Sequence, residues 1–182
     1  MRCLDAFHAV GWVTGALDEV RRQVWNQLRG GKGQTTPESK AFKGARWALW
    51  KNPDRLSEQQ RATLASIQAT NRPLYRAYLL KEQFRELIRV KGDDGKLLLT
   101  AWLRWASRSK IPDMVTVAKK IRRHLTELHN TLDSGLSNAR VEATNTHLRV
   151  LTRRAYGYAS PNALITIADL TRGGLCPQLP GR

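Results

Sequence analysis

The sequence predicts a mainly α-helical protein, and three features of it support this fold class. Apolar residues recur at spacings of three and four along most of the chain, which is the periodicity of a buried helix face. Capping residues precede several of these stretches, and glycine or proline follows them. We expect a β-strand only near residues 1–5, directly before the first helix.

The first half of the chain divides into helices with short breaks. Residues 7–28 form the first helix, and residues 29–44 are polar, basic and glycine-containing, which is typical of a surface loop. A helix from about residue 41 ends at Trp50, and Ser57 with Gln60 forms a capping box for a helix that ends near residue 68. The apolar face of the first helix consists of Phe7, Val10, Val13, Leu17, Val20, Val24 and Leu28.

The helical pattern continues through the second half. Residues 71–90 and 97–107 are predicted helices, and residues 92–95 form a predicted turn between them. Pro112 suits the first turn of the next helix. An unbroken apolar seam in this helix predicts packing against a partner helix. The inward residues of the 71–90 helix are Leu74, Tyr78, Leu87 and Ile88. The seam consists of Ile111, Met114, Ala118, Ile121, Leu125, Leu128 and Leu132.

Two tryptophan pairs stand three residues apart on predicted helices. They are Trp47 with Trp50, and Trp102 with Trp105. We expect all four side chains in the hydrophobic core of this region, because such a spacing puts both rings on one helix face. Stacking on nucleotide bases is the alternative.

The charge balance favours a polyanionic partner. The chain has 31 Lys and Arg against 15 Asp and Glu, a formal net charge of +16, and 41% hydrophobic residues suffice for one or two compact units. Nucleic acid is the commonest such partner, and an RNA-binding protein would show the same balance. We find neither a long apolar run nor a signal peptide, and therefore expect no membrane partner. Cys3 and Cys176 are isolated, which fits a reducing cytoplasm.

The stretch 135–158 is predicted to form one helix with a distinctive polar face. Gly135 can end the preceding helix and Ser137 can cap this one. At about 100° per residue, Glu142 falls on the same side as Asn145, Arg149 and Arg153, opposite an apolar side. A metal-binding carboxylate flanked by phosphate contacts would need this arrangement. A solvated face, with Glu142 paired to a neighbouring side chain, is the alternative. The apolar side consists of Val141, Leu148, Leu151 and Ala155.

Three separated segments resemble one known family. Residues 137–145, SNARVEATN, resemble the segment that carries the last acidic residue of DDE-type insertion-sequence transposases of the ISL-three family. Residues 3–8, CLDAFH, resemble that family's hallmark of an Asp at a strand end followed by Phe-His. Residues 46–53, which begin Arg-Trp and end Lys-Asn-Pro, match a third feature. The resemblance covers essentially the whole chain, in the family's order.

The resemblance implies a fold and a metal site. The fold would be the C-terminal part of a ribonuclease-H-like α/β catalytic domain with a helical insertion and most of its strands missing. Residues 1–28 would hold the strand end and first core helix, residues 29–134 the insertion, and residues 135–182 the C-terminal core helices. By resemblance, Asp5 and Glu142 are two of three catalytic carboxylates that bind Mg²⁺ or Mn²⁺. The third, an Asp on an earlier strand, has no counterpart, so we expect a piece of a longer transposase that is inactive alone.

The resemblance also implies partners. The parent enzyme would cut and join the double-stranded DNA of transposon ends beside the bacterial nucleoid, with no small-molecule substrate and with a homodimer as one possibility. Asn145, Arg149, Arg153 and Arg154 are the predicted DNA contacts, although a solvated helix end would look similar. A non-catalytic basic DNA-binding or dimerising remnant is the alternative function. His8, which follows Asp5, is expected to cap or pack, with general-base catalysis as the alternative.

Overall fold

Helices form every regular element in the described part of the chain. The computed structural model describes residues 2–29, 39, 42, 44–134 and 139–172, with the backbone alone for 139–143. Two compact units result, unit 1 from residues 1–136 and unit 2 from residues 137–182. The mainly α prediction is confirmed. The helices are α1 (Ala6–Leu28), α2 (Ala45–Trp50), a 3-10 turn (Pro53–Arg55), α3 (Glu58–Thr70), α4 (Arg72–Leu87), α5 (Gly92–Ser107), α6 (Pro112–Arg123), α7 (Leu125–Ser134), α8 (Ala139–Arg154) and α9 (Pro161–Arg172).

Local capping sets several helix starts where the sequence predicts them. The Ser57 hydroxyl accepts from the Gln60 backbone N–H at 3.4 Å, and the Gln60 side chain accepts from the Ser57 N–H at 3.1 Å. This is the predicted capping box, and it satisfies two backbone donors that the first turn of α3 leaves open. Asn71 caps α4 in the same way, through its side-chain oxygen and the Leu74 N–H at 3.0 Å.

The core of unit 1 forms where α1 packs against α4 and α6, and where α5 packs against α4, α6 and α7. Val13, Leu17 and Val20 of α1 are buried as predicted, and so is the apolar seam from Ile111 to Ile121. Partner helices within the chain therefore cover this seam, as its narrow heptad-like spacing predicts.

The predicted strand at residues 1–5 is wrong, since no strand occurs among the described residues. Residues 2–4 instead lie along α7. The Leu4 N–H donates to the Glu127 carbonyl at 3.2 Å, and the Asn130 side chain donates to the Arg2 carbonyl at 2.7 Å. The Thr131 hydroxyl donates to the Leu4 carbonyl at 2.5 Å. Polar side chains of a helix thus satisfy backbone groups that a sheet would otherwise pair.

Two further boundaries differ from the sequence prediction. Residues 92–95 are the first turn of α5 rather than a loop, and Gly95 is buried against the carbonyl of Val90. The predicted continuous helix after Pro112 is broken at His124, which separates α6 from α7. The apolar seam continues across this break, so periodicity alone did not reveal it.

The two tryptophan pairs have opposite environments, which corrects the expectation that both lie in the core. Trp102 is fully buried, and its indole N–H donates to the Leu80 carbonyl at 2.8 Å. Trp105 is partly buried against the core. Trp47 and Trp50 are 55% and 37% exposed. Helix α2 is short and buries its opposite face, so its indoles point away from the core.

Unit 2 contains α8 and α9, which pack against each other. The His147 ring of α8 lies within hydrogen-bonding distance of the Thr171 hydroxyl of α9, at 3.2 Å. Helix α8 ends at Arg154, earlier than the predicted end at residue 158. The predicted cap at Ser137 and the preceding Gly135 lie outside the described residues. No helix in the described part is long and apolar enough to cross a membrane.

Candidate catalytic carboxylates and DNA-binding helix

Asp5 is held at the start of α1 by contacts to both carboxylate oxygens. Oδ1 accepts from the Phe7 backbone N–H at 3.1 Å, which makes Asp5 the N-cap of α1. Oδ2 lies 3.0 Å from Nδ1 of His8. A carboxylate only accepts, so the His8 ring carries its proton on Nδ1 in this contact. The side chain of Asp5 is 4% exposed, whereas that of His8 is 68% exposed.

The contact between Asp5 and His8 sets the orientation and the tautomer of the His8 ring. The carboxylate orients the imidazole, as an acceptor does in catalytic histidine pairs. In the neutral ring, Nε2 is then the acceptor nitrogen on the exposed side chain. His8 is thus a hydrogen-bonding neighbour of the carboxylate that caps α1, and its own exposed ring neither caps that helix nor packs in the core.

The Asp5 carboxylate keeps some capacity to bind a cation. Each carboxylate oxygen has two lone pairs, and one protein contact leaves the second pair available. Hard oxygen ligands of this type suit Mg²⁺ and Mn²⁺. The donor chemistry of Asp5 therefore fits a divalent metal. Within the described side chains, no group of three or more His, Cys, Asp or Glu is placed to hold one.

Glu142 lies on α8, in unit 2, whereas Asp5 lies in unit 1. The backbone at residue 142 is helical, and its side chain is outside the described residues. The prediction that the two carboxylates share a metal site therefore stays a prediction.

The predicted DNA contacts lie on the exposed side of α8 and at its end. Asn145, Arg149, Arg153 and Arg154 are all exposed. Leu148, which was predicted on the apolar side of this helix, is partly buried. Ala155, predicted on the apolar side, is exposed because the helix has already ended there. Each exposed guanidinium group presents the planar set of N–H donors that suits phosphate oxygens.

The end of α8 has an unusual backbone. Gly157 N–H donates to the Thr152 carbonyl at 3.0 Å and Tyr156 N–H donates to the Arg153 carbonyl at 3.3 Å, the two hydrogen bonds of a Schellman cap. Tyr156 occupies the left-handed position with φ 51°, where glycine is usual. Its side chain is fully exposed. The cap therefore displays an aromatic ring two residues after Arg154.

A basic and aromatic surface lies on α2, where the sequence favoured core packing of the tryptophans and left base stacking as the alternative. The Arg46 guanidinium carbon lies 4.3 Å from the Trp50 ring centroid and 5.7 Å from that of Trp47. Burial opposes ionisation of Asp18, but Arg21, Arg22 and then Arg46 outweigh it and hold the pKa of Asp18 below its usual value.

The comparisons with known proteins assign the chain to a class and a family. The model of the ISL3 family of DDE transposases, described as "Transposase", matches residues 1–168. This chain belongs to that family, as the three segments at residues 3–8, 46–53 and 137–145 predicted. No solved structure matches it significantly.

Curated relatives are transposases of insertion sequences. The transposase for insertion sequence element IS1557, from Mycobacterium tuberculosis strains CDC 1551 / Oshkosh and H37Rv, is 46% identical over 199 residues, covering 100% of this chain and 45% of the relative. The transposase for insertion sequence element IS1001, from Bordetella parapertussis, is 30% identical over 156 residues, covering 85% of this chain and 37% of the relative. The chain thus spans less than half the length of these relatives.

Proposed function

We propose that this chain contributes two carboxylates and a DNA-binding helix to a metal-dependent transposase that cuts and joins the DNA of transposon ends. The observation that carries the proposal is the family match over residues 1–168, which includes both Asp5 and Glu142. The core that places these residues would be ribonuclease-H-like.

The roles of the carboxylates follow from their chemistry. Asp5 and Glu142 would bind Mg²⁺ or Mn²⁺, since carboxylate oxygens are the preferred ligands of both ions. When bound, such ions activate the attacking hydroxyl and stabilise the leaving oxygen. The N-cap contact of Asp5 to Phe7 and its contact to His8 would hold its carboxylate in one orientation. A fixed orientation matters because a misplacement of about 1 Å can cost about a hundredfold in rate.

Helix α8 would hold the duplex. Asn145 and Arg149 are exposed on the helix, and Arg153 and Arg154 are exposed in its last turn. Phosphate contacts position a duplex without reading its sequence. The proposed partner is therefore double-stranded DNA, and the proposed location is the bacterial cytoplasm.

A second function is favoured by one specific observation. Both oxygens of Asp5 already have protein partners and the side chain is only 4% exposed, which is what a purely structural N-cap would show. The chain would then be a basic DNA-binding or dimerising protein without catalysis. Under this second function, the chain could also pair with a second copy of itself as a homodimer.

Iron-directed cleavage distinguishes the two functions. Fe²⁺ is added in place of Mg²⁺. Ascorbate and peroxide then generate radicals that cut the polypeptide chain beside the bound ion. Under the first function, cuts appear near both residue 5 and residue 142, and Asp5→Asn or Glu142→Gln abolishes both sets. Asn still caps a helix, so Asp5→Asn leaves α1 intact.

The matched control is Glu86→Gln, because Glu86 is 58% exposed on α4 and belongs to neither candidate site. This variant should cut as the wild type does. Cuts that persist in both Asp5→Asn and Glu142→Gln, or that never appear near residue 142, would remove the proposed shared metal site and leave the second function.

A further inference from the structure

Helix α2 presents two large indoles to solvent. Trp47 is 55% exposed and Trp50 is 37% exposed, while Ala48 and Leu49 on the other face are fully buried. We call Arg46, Trp47, Trp50 and Lys51 the indole surface. Exposed aromatic side chains of this size are costly to leave in water, so a cluster of them marks an interaction site.

Arg46 is pre-positioned within the indole surface. Its guanidinium carbon lies 4.3 Å from the Trp50 ring centroid, close enough for a cation–π contact. It lies 5.7 Å from the Trp47 centroid, so Trp47 is the less covered and more exposed of the two rings. Trp47 is therefore the free aromatic platform, and Arg46 is a fixed positive charge at its edge.

The charge around the indole surface identifies the partner. Lys51 and Arg55 are exposed beside the indoles, with Asp54 as the acidic residue between them. A flat aromatic face bordered by cations fits a nucleotide, whose base stacks and whose phosphate is negative.

Base stacking needs a base that is not already stacked. Bases inside an intact duplex have both faces covered by neighbours, so an indole gains nothing from them. Unpaired bases expose a face and bind aromatic side chains with little sequence preference. The indole surface would therefore bind a different form of DNA from α8, because it needs an unpaired base whereas α8 would contact the phosphates of a duplex.

We propose that the indole surface binds an unpaired base of a DNA strand, with Trp47 stacking on the base and Arg46 and Lys51 contacting the adjoining phosphates. This inference rests on the proposed function only for the identity of DNA as the partner. It adds a site that recognises locally opened DNA, separate from the two carboxylates and from α8.

Binding of three DNA probes of equal length tests the inference. The probes are an intact duplex, the same duplex with a bulge of unpaired nucleotides, and a single strand, and anisotropy with the full 182-residue chain gives each dissociation constant. Wild type should bind the bulged duplex more tightly than the intact one. Trp47→Leu, which keeps apolar bulk without a π face, should weaken bulge binding about 5- to 100-fold and leave duplex binding nearly unchanged.

Two controls isolate stacking. Trp47→Phe keeps an aromatic face and should retain most of the preference for the bulge. Leu97→Ala removes an apolar side chain that is 69% exposed on α5, and should change none of the three constants. A fluorescent 2-aminopurine in the bulge should be quenched by wild type and not by Trp47→Leu, since quenching reports direct stacking.

Each remaining outcome overturns the inference. Equal losses on bulge and duplex, or no loss in Trp47→Leu, would show that no base stacks on Trp47. A change in oligomeric state in Trp47→Leu without a change in the bulge-to-duplex ratio would assign the surface to a second copy of the chain. If wild type bound the duplex but showed no bulge preference, only this inference would fail. If wild type bound none of the probes, the proposed DNA-binding function would fail as well.

Discussion

The hydroxyl of Thr131 donates a hydrogen bond to the backbone carbonyl of Leu4 at 2.5 Å and is also shared with the Glu127 carbonyl at 2.9 Å. This contact holds the residue directly before Asp5 against α7. Thr131 is 1% exposed, so its buried hydroxyl depends on protein acceptors for its hydrogen bond. The position of Asp5 thus depends on a helix that lies far away in the sequence.

Thr131→Val should lower the free energy of unfolding of unit 1 by about 1–2 kcal/mol, because it keeps the side-chain shape and leaves the Leu4 carbonyl unpaired. Urea unfolding followed by tryptophan fluorescence measures this, since all six tryptophans lie in unit 1. Thr116→Val is the control, because its hydroxyl bonds only within α6 on an exposed face. Equal effects of the two substitutions would show that the Leu4 contact contributes nothing.

Two glycine substitutions should act in opposite directions. A Cβ at Gly95 would lie 2.3 Å from the Val90 carbonyl oxygen, so Gly95→Ala forces the backbone apart and should destabilise unit 1 by about 1–3 kcal/mol. A Cβ at Gly11, inside α1, would meet nothing within 4 Å, so Gly11→Ala should stabilise by about 0.5–1 kcal/mol. Urea unfolding measures both changes in the free energy of unfolding. If Gly95→Ala stabilised unit 1, the close packing of Gly95 against the Val90 carbonyl would be contradicted.

Tyr78 should give unit 1 an alkaline sensitivity. Burial, reinforced by the Glu82 charge, raises the pKa of Tyr78 to about 12. The unfolded chain, with a tyrosine pKa of about 10, therefore loses this proton first, and stability should fall as pH rises from about 10 towards 12.

Tyr78→Phe should make this alkaline fall in the free energy of unfolding shallower, and the fully exposed Tyr156→Phe should not. Urea midpoints at several pH values measure the difference. An unchanged slope in Tyr78→Phe would show that ionisation of this phenol is not coupled to folding.

Duplex binding should weaken steeply with salt, because each neutralised phosphate releases counterions. The double variant Arg149→Gln and Arg153→Gln should reduce the magnitude of the log–log salt slope by about 1–2. The matched control is Arg22→Gln with Arg89→Gln, which removes the same charge from exposed positions on α1 and in the turn after α4. A control that lowers the slope as much as the α8 variant would indicate a general effect of net charge.

The 182-residue chain alone should neither nick nor join transposon-end DNA in Mg²⁺ or Mn²⁺. The resemblance implies three carboxylates, and we propose counterparts for two of them, Asp5 and Glu142; a two-metal site with one charged ligand fewer holds its second ion more weakly. A nicking assay that compares wild type with Glu142→Ala tests this. Cleavage by wild type that disappears in Glu142→Ala would show that these two carboxylates suffice.

The sequence by itself determined the features that depend on near neighbours. The capping box of Ser57 and Gln60 and the cap at Asn71 join residues three apart, and Pro112 suits a first helical turn wherever it lies. The buried face of α1 from Val13 to Val24 follows from its own periodicity, whereas Phe7, predicted on the same face, is 61% exposed. The family signature at residues 3–8 and 137–145 is likewise a local pattern, and it gave the candidate carboxylates.

Only the tertiary structure decided which surfaces are covered. Trp47 and Trp102 have similar local patterns, yet one is exposed and the other is fully buried, because burial depends on helices that are distant in sequence. The residues before Asp5 could have paired as a strand, but α7 offers Asn130 and Thr131 to their backbone groups instead. Long-range contacts leave no periodic signal in one sequence, and for this reason the indole surface and the setting of Asp5 emerged only from the fold.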